Sequence, residues 1–162
     1  MTDRVARVAA DPAVNPDVRI RAAESLALLG RGAQGAARLP GLPVLNRESA
    51  ASALIDLGYR DQLLHNARSG RVDAWTPTVA GIALCIARDI AGPELLAARA
   101  QDPDQDIRTR VYCAEALWLW GFHLGPEPQQ QGQALLAALT EDPQLGVEAQ
   151  QHRGAVDWEL GT

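Results

Sequence analysis

Residues 11–30 read DPAVNPDVRIRAAESLALLG, and this stretch limits the fold more than any other. Asp11-Pro12 closes one helix and Asn15-Pro16-Asp17 opens the next. Asn15 can cap first-turn N–H groups, Pro16 suits the first helical position, and Asp17 meets the positive end of the helix dipole. Val18, Ala22, Leu26 and Leu29 then recur at helical spacing. Ile20, Ala23 and Ala27 widen the stripe, leaving Arg19, Arg21 and Glu24 for the polar side. Gly30 is placed to end the helix in a left-handed turn. One helix cannot bury such a stripe alone, so helix must stack on helix.

Composition supports helix-on-helix packing. Hydrophobic residues make up 47% of the 162 positions, yet aromatics only 4%, so alanine carries much of the apolar surface and helices can approach closely. The length points to one domain spanning 1–162 with a real core. No stretch is long and apolar enough to span a bilayer, and MTDRVARVAADP lacks the apolar run of a signal peptide. The expected location is cytoplasmic. Cys85 and Cys113, both inside expected helices, read as reduced buried thiols.

Taken in order, helices are expected over 2–10, 16–30, 33–39, 46–58, 59–68, 76–90, 93–101 and 107–121. Residues 125–131, GPEPQQQ, read as a polar linker before helices over 132–140 and 147–160. Asp102-Pro103 and Asp142-Pro143 repeat the Asp11-Pro12 stop. The apolar segment 76–90 is expected to be the most buried helix. In total this gives about ten helices in five antiparallel pairs.

The organising stretch recurs. Ala50, Ala51, Leu54, Leu57 and Gly58 match Ala22, Ala23, Leu26, Leu29 and Gly30 at an offset of 28. Ala114-Glu115, Leu117 and Gly121 match Ala23-Glu24, Leu26 and Gly30 at an offset of 91. Ile107-Arg108 lies two residues further from its glycine than Val18-Arg19 does, which predicts a lengthened or bulged helix there. The residues DVRIRAAESLALLG resemble the second helix of a HEAT repeat, with a Val-Arg pair before small residues and a terminal Leu-Gly. Within that family they are most similar to the repeats attached to bacterial signalling NTPases. The resemblance implies an all-α HEAT-like solenoid that binds a protein or peptide on a concave helical face.

Catalytic templates are missing from the sequence: it has no Gly-rich phosphate loop, no G-x-S-x-G elbow and no H-E-x-x-H. All 15 basic residues are arginine, so a P-loop lysine is impossible. No cofactor or metal site is expected, and His65, His123 and His152 read as surface residues. The net charge of −5 disfavours nucleic acid as a partner. Charge is also uneven: residues 1–40 hold six Arg against four acids, and 124–162 one Arg against six acids.

One cluster stands out, Tyr112, Trp118, Trp120 and Phe122. It is either core or an aromatic-and-arginine interface hot spot with Arg110 on its rim. The expected partner-binding set is therefore Arg19, Arg21, Glu24, Arg108, Arg110, Tyr112, Glu115 and Trp118. The leading expectation is a non-enzymatic interaction module. Two alternatives stay open. One is a ligand-handling or DNA-repair-type enzyme, since HEAT-like folds include chromophore lyases and glycosylases. The other is an immunity- or antitoxin-like inhibitor of a basic enzyme.

Overall fold

The computed structural model describes residues 2–15, 18, 19, 22, 48, 51, 52, 54–56, 58–68 and 73–160. All described secondary structure is helical, as an all-α chain requires. No helix among the described residues is long and apolar enough to cross a membrane. Two compact units divide the chain, Met1–Val72 and Asp73–Thr162. The helix expected over 33–39 lies outside the described residues.

In the first unit, α1 (Thr2–Ala10) presents Ala9 to a small core shared with Ala22, and Ala6 and Val8 pack against it. Asp11 then turns the chain by accepting from the Ala13 N–H at 2.9 Å. An aspartate that bonds the backbone two residues on makes its own turn, and helix cannot continue through it. Later in the unit, Leu54 and Ala51 are buried, and α2 (Arg60–Arg68) buries Leu63, Leu64 and Ala67 as its spacing predicts.

In the second unit the same device spaces the helices. These are α3 (Trp75–Ile86), α4 (Ala91–Gln101), α5 (Ile107–Trp120), α6 (Pro126–Glu141), α7 (Gly146–His152) and α8 (Ala155–Leu160), with a 3-10 turn at Gly121–Leu124. Asp73, Asp89, Asp102 and Asp142 each accept the N–H two residues ahead, from Trp75, Ala91, Asp104 and Gln144. Each of the first four helices packs on its neighbour in sequence, and α5 also reaches α3, α7 and α8. The common core runs through Ile82, Cys85, Leu96, Val111, Leu117, Leu136 and Val156.

Three expectations change here. Residues 126–131 are the first turns of α6, not a linker. Pro126 takes a first-turn position, where a missing N–H costs nothing, and the glutamines that follow are good helix formers. The final helix is two helices, broken at Arg153-Gly154, where Gly154 takes φ 85°. α5 runs without a bulge from its cap at Asp106, whose carboxylate accepts from Thr109 N–H at 2.8 Å. The expectation for 76–90 holds in part. α3 is buried at ten consecutive positions, Thr76 to Cys85, but α5 is the helix on which the others converge.

Candidate functional site

Because α5 is flanked by five other helices, no single stripe describes it: Val111 through Leu117 are all buried. Three of its polar residues, Arg110, Tyr112 and Glu115, are therefore drawn inward and make defined contacts. Arg110 donates from Nε to the Ala100 carbonyl at 3.1 Å. That carbonyl belongs to the last turn of α4, where carbonyls lack helical partners, so the guanidinium caps the preceding helix. Arg110 also helps hold the Asp102 and Asp142 carboxyls below their usual range. The first cause is in each case the aspartate's own hydrogen bonds, from Asp104 and Gln105 and from Gln144 and Leu145.

Arg19 makes the same bond in the first unit, donating from Nε to the Ala9 carbonyl at 3.3 Å. Both pairs are separated by ten residues, and the two sets lie 91 residues apart. At that constant offset Asp11-Pro12 also matches Asp102-Pro103, and Asn15 matches Asp106. The counterpart of Arg19 is thus Arg110, not Arg108, and the offset needs no insertion. Arg19 is only 3% exposed while its neighbour Val18 is 47% exposed, the reverse of the expected stripe. At this first turn the carbonyl end of α1 offers a better partner to a guanidinium than to a valine.

Tyr112 is buried rather than surface-facing. Its ring lies against Trp75, centroids 4.5 Å apart, and meets His152 edge-on at 6.2 Å. Glu115, 2% exposed, accepts from the N–H groups of Gly154 at 2.7 Å and Val156 at 3.2 Å. A carboxylate at these positions satisfies the orphan donors that open α8. Burial pushes the Glu115 carboxyl above its ordinary range, against the opposing pull of those two donors. Burial likewise pushes the Cys85 and Cys113 thiols up to about 12, so both free cysteines stay protonated and unreactive.

The carboxy-terminal end of α5 is partly accessible. Trp118 is half-buried and borders two adjoining concavities of about 200 and 420 Å³. Arg153 borders both as well, with Gln133 and Glu141 on one side and Gln150 and Asp157 on the other. The position of Trp118 is fixed from beneath. Gly132 of α6 lies so close to the Leu117 and Trp118 backbone that a β-carbon there would collide with it.

Of the expected set, then, Arg19, Tyr112 and Glu115 are buried and make internal contacts, and Arg110 is half-buried and does the same. Arg108 and Trp118 reach solvent, and Arg21 and Glu24 lie outside the described residues. Phe122 is exposed and stacks on His123, 4.2 Å between centroids. Sequence reasoning missed Arg153, because the turn that presents it lies inside what reads as one continuous helix. The Arg153-Gly154 pair was the available signal. Among the described residues no group of His, Cys, Asp or Glu could hold a metal ion. No protein-family model, curated protein or solved structure matches the chain.

Proposed function

We propose that the chain is a non-enzymatic binding module whose second unit takes a segment of a partner protein on the face around Trp118 and Arg153. The observation that carries this is a half-exposed tryptophan and an arginine shared by two adjoining concavities. Tryptophan and arginine dominate the energetics of protein interfaces, and concavities beside them receive the partner's side chains. Polar groups from Gln133, Glu141, Gln150 and Asp157 surround this pair and form the rim such interfaces carry. The HEAT-like solenoid is part of the same proposal. Helices α3 to α6 packing in sequence order supports it, as does the exact recurrence of the arginine bond at an offset of 91.

The test is affinity capture from the native host with the intact chain and two variants. Arg153→Gln removes the charge of an exposed side chain without adding a like charge beside Glu115, and keeps the melting temperature. Trp118→Ala costs less than the ~3–5 kcal/mol of a fully buried tryptophan, because Trp118 is half-buried, and the chain stays folded. Both are expected to lose a partner that the intact chain retains. A partner retained equally by all three forms would refute this face. Turnover of a substrate by the purified chain would refute the module itself.

A further inference from the structure

The second unit is strongly acidic: residues 73–162 contain thirteen Asp and Glu against five Arg, a net charge of −8, while residues 1–72 carry +3. On the side of α6 away from Trp118, α4 and α6 enclose an open groove of about 620 Å³. Its accessible apolar part comes from Ile90, Ala98 and Pro128 over the buried Pro93 and Ala97, and Ile90 is 60% exposed although it is a large aliphatic residue. Glu94 and Glu127, both exposed, also line it, one from each helix. No cation is among the described residues of the lining. An apolar strip between two helices, with a carboxylate contributed by each, is complementary to one kind of occupant. That occupant has an apolar stripe flanked by basic side chains.

We infer that this groove docks a basic amphipathic helix of a partner protein. Its apolar face lies on Ile90, Ala98 and Pro128, and its lysines or arginines reach Glu94 and Glu127. A groove between helices accepts a third helix through residues spaced three and four apart. The field of the acidic unit draws such a segment in, and the two local carboxylates fix where it binds. This surface is separate from the face around Trp118. On α6, Glu127 and Gln131 line the groove, whereas Gln133 and Ala137 line the concavity beside Trp118.

The experiment uses the full chain and a fluorescein-labelled leucine–lysine peptide of about fourteen residues, patterned as an amphipathic helix. A second peptide carries glutamate in place of every lysine. Anisotropy titrations are run at about 50 and about 300 mM salt. The basic peptide is expected to bind and to weaken with salt, and the acidic one not to bind. Glu94→Arg with Glu127→Arg is expected to weaken binding by about tenfold or more, and Ile90→Ser by about threefold.

Asp104→Arg with Glu148→Arg changes the net charge equally at exposed positions outside the groove. It is expected to alter affinity by less than about twofold. Circular dichroism confirms that each variant is folded. Equal weakening by both double variants would overturn the groove in favour of diffuse acidic attraction. Loss of binding with Trp118→Ala alone would overturn it in favour of the other face. Failure of the basic peptide to bind at about 1 mM would also overturn it.

Discussion

The two compact units meet the same two structural demands, one with the same kind of residue and one with different residues. Each caps the end of one helix with an arginine from the next, Arg19 on the Ala9 carbonyl and Arg110 on that of Ala100. Arg19 is buried, whereas Arg110 is half-buried beside the Asp102 and Asp142 carboxylates. Each unit also reverses its chain through one pattern of backbone bonds. Tyr59 N–H reaches the Leu54 carbonyl and Gly58 the Ile55 carbonyl, just as Asp89 reaches Leu84 and Arg88 reaches Cys85. The left-handed residue is Gly58 at φ 86° in one turn and Arg88 at φ 57° in the other. A backbone geometry can thus recur where the side chain that favours it does not, provided packing on either side holds the turn.

The sharpest way to break the comparison is to dislodge α5 in the second unit alone. Gly132→Ala puts a methyl against the Leu117 and Trp118 backbone, which no rotamer change relieves. A loss of about 3 kcal/mol is expected. All four tryptophans lie in this unit, so urea titration followed by tryptophan fluorescence reports it directly. An unchanged midpoint would mean that α6 crosses α5 elsewhere.

Next in size is the arginine pair. Arg19→Met leaves a buried carbonyl without its charged donor and is expected to cost about 2 kcal/mol, measured by circular dichroism. Arg110→Met acts where water can replace the donor and is expected to cost about 1 kcal/mol, with the loss shrinking in high salt. Equal costs would show that burial does not distinguish the two bonds.

Arg88→Gly is expected to stabilise the chain by about 0.5–1 kcal/mol, since it removes a side chain from a left-handed position. Gly58 already fills the equivalent left-handed position in the first unit. A thermal melt that stays flat or falls would show that Arg88 earns its place by contacts.

The smallest effect is a pH slope. The folded-state Glu115 carboxyl lies above its unfolded value, so its contribution is fully present below the unfolded pKa, about 4.3 for a glutamate. It falls away as pH rises through the folded value. Glu115→Gln is therefore expected to gain on the wild type as pH rises from about 4 to 7 in urea titrations. The Asp102 and Asp142 carboxyls, held low, act in the opposite sense: they contribute above their unfolded pKa and lose that contribution as pH falls. A constant difference between Glu115→Gln and wild type would mean that Glu115 titrates as it does in the unfolded chain.

Local signals in the sequence were reliable. The Asp-Pro pairs stop helices at Ala10, Gln101 and Glu141, and Leu63, Leu64 and Ala67 face inward, because turns and stripes depend on neighbours within a few residues. GPEPQQQ misled, since the proline that ends helices also starts them, and only what precedes it decides which. The candidate site was half legible. Trp118 was visible as part of an aromatic cluster, but its companion Arg153 lies 35 residues further on and meets it only through folding.

Sequence alone therefore determined that this chain is helical, where many of its turns fall, and that its carboxy-terminal part is acidic. Tertiary structure decided which polar residues are internal. Tyr112 and Glu115 are buried because other helices pack around the middle of α5, from Val111 to Leu117, and that stretch has no polar face for a periodic pattern to reveal. The arginine bonds were settled at the same level, because a helix-end carbonyl becomes a target only once the next helix has folded back onto it.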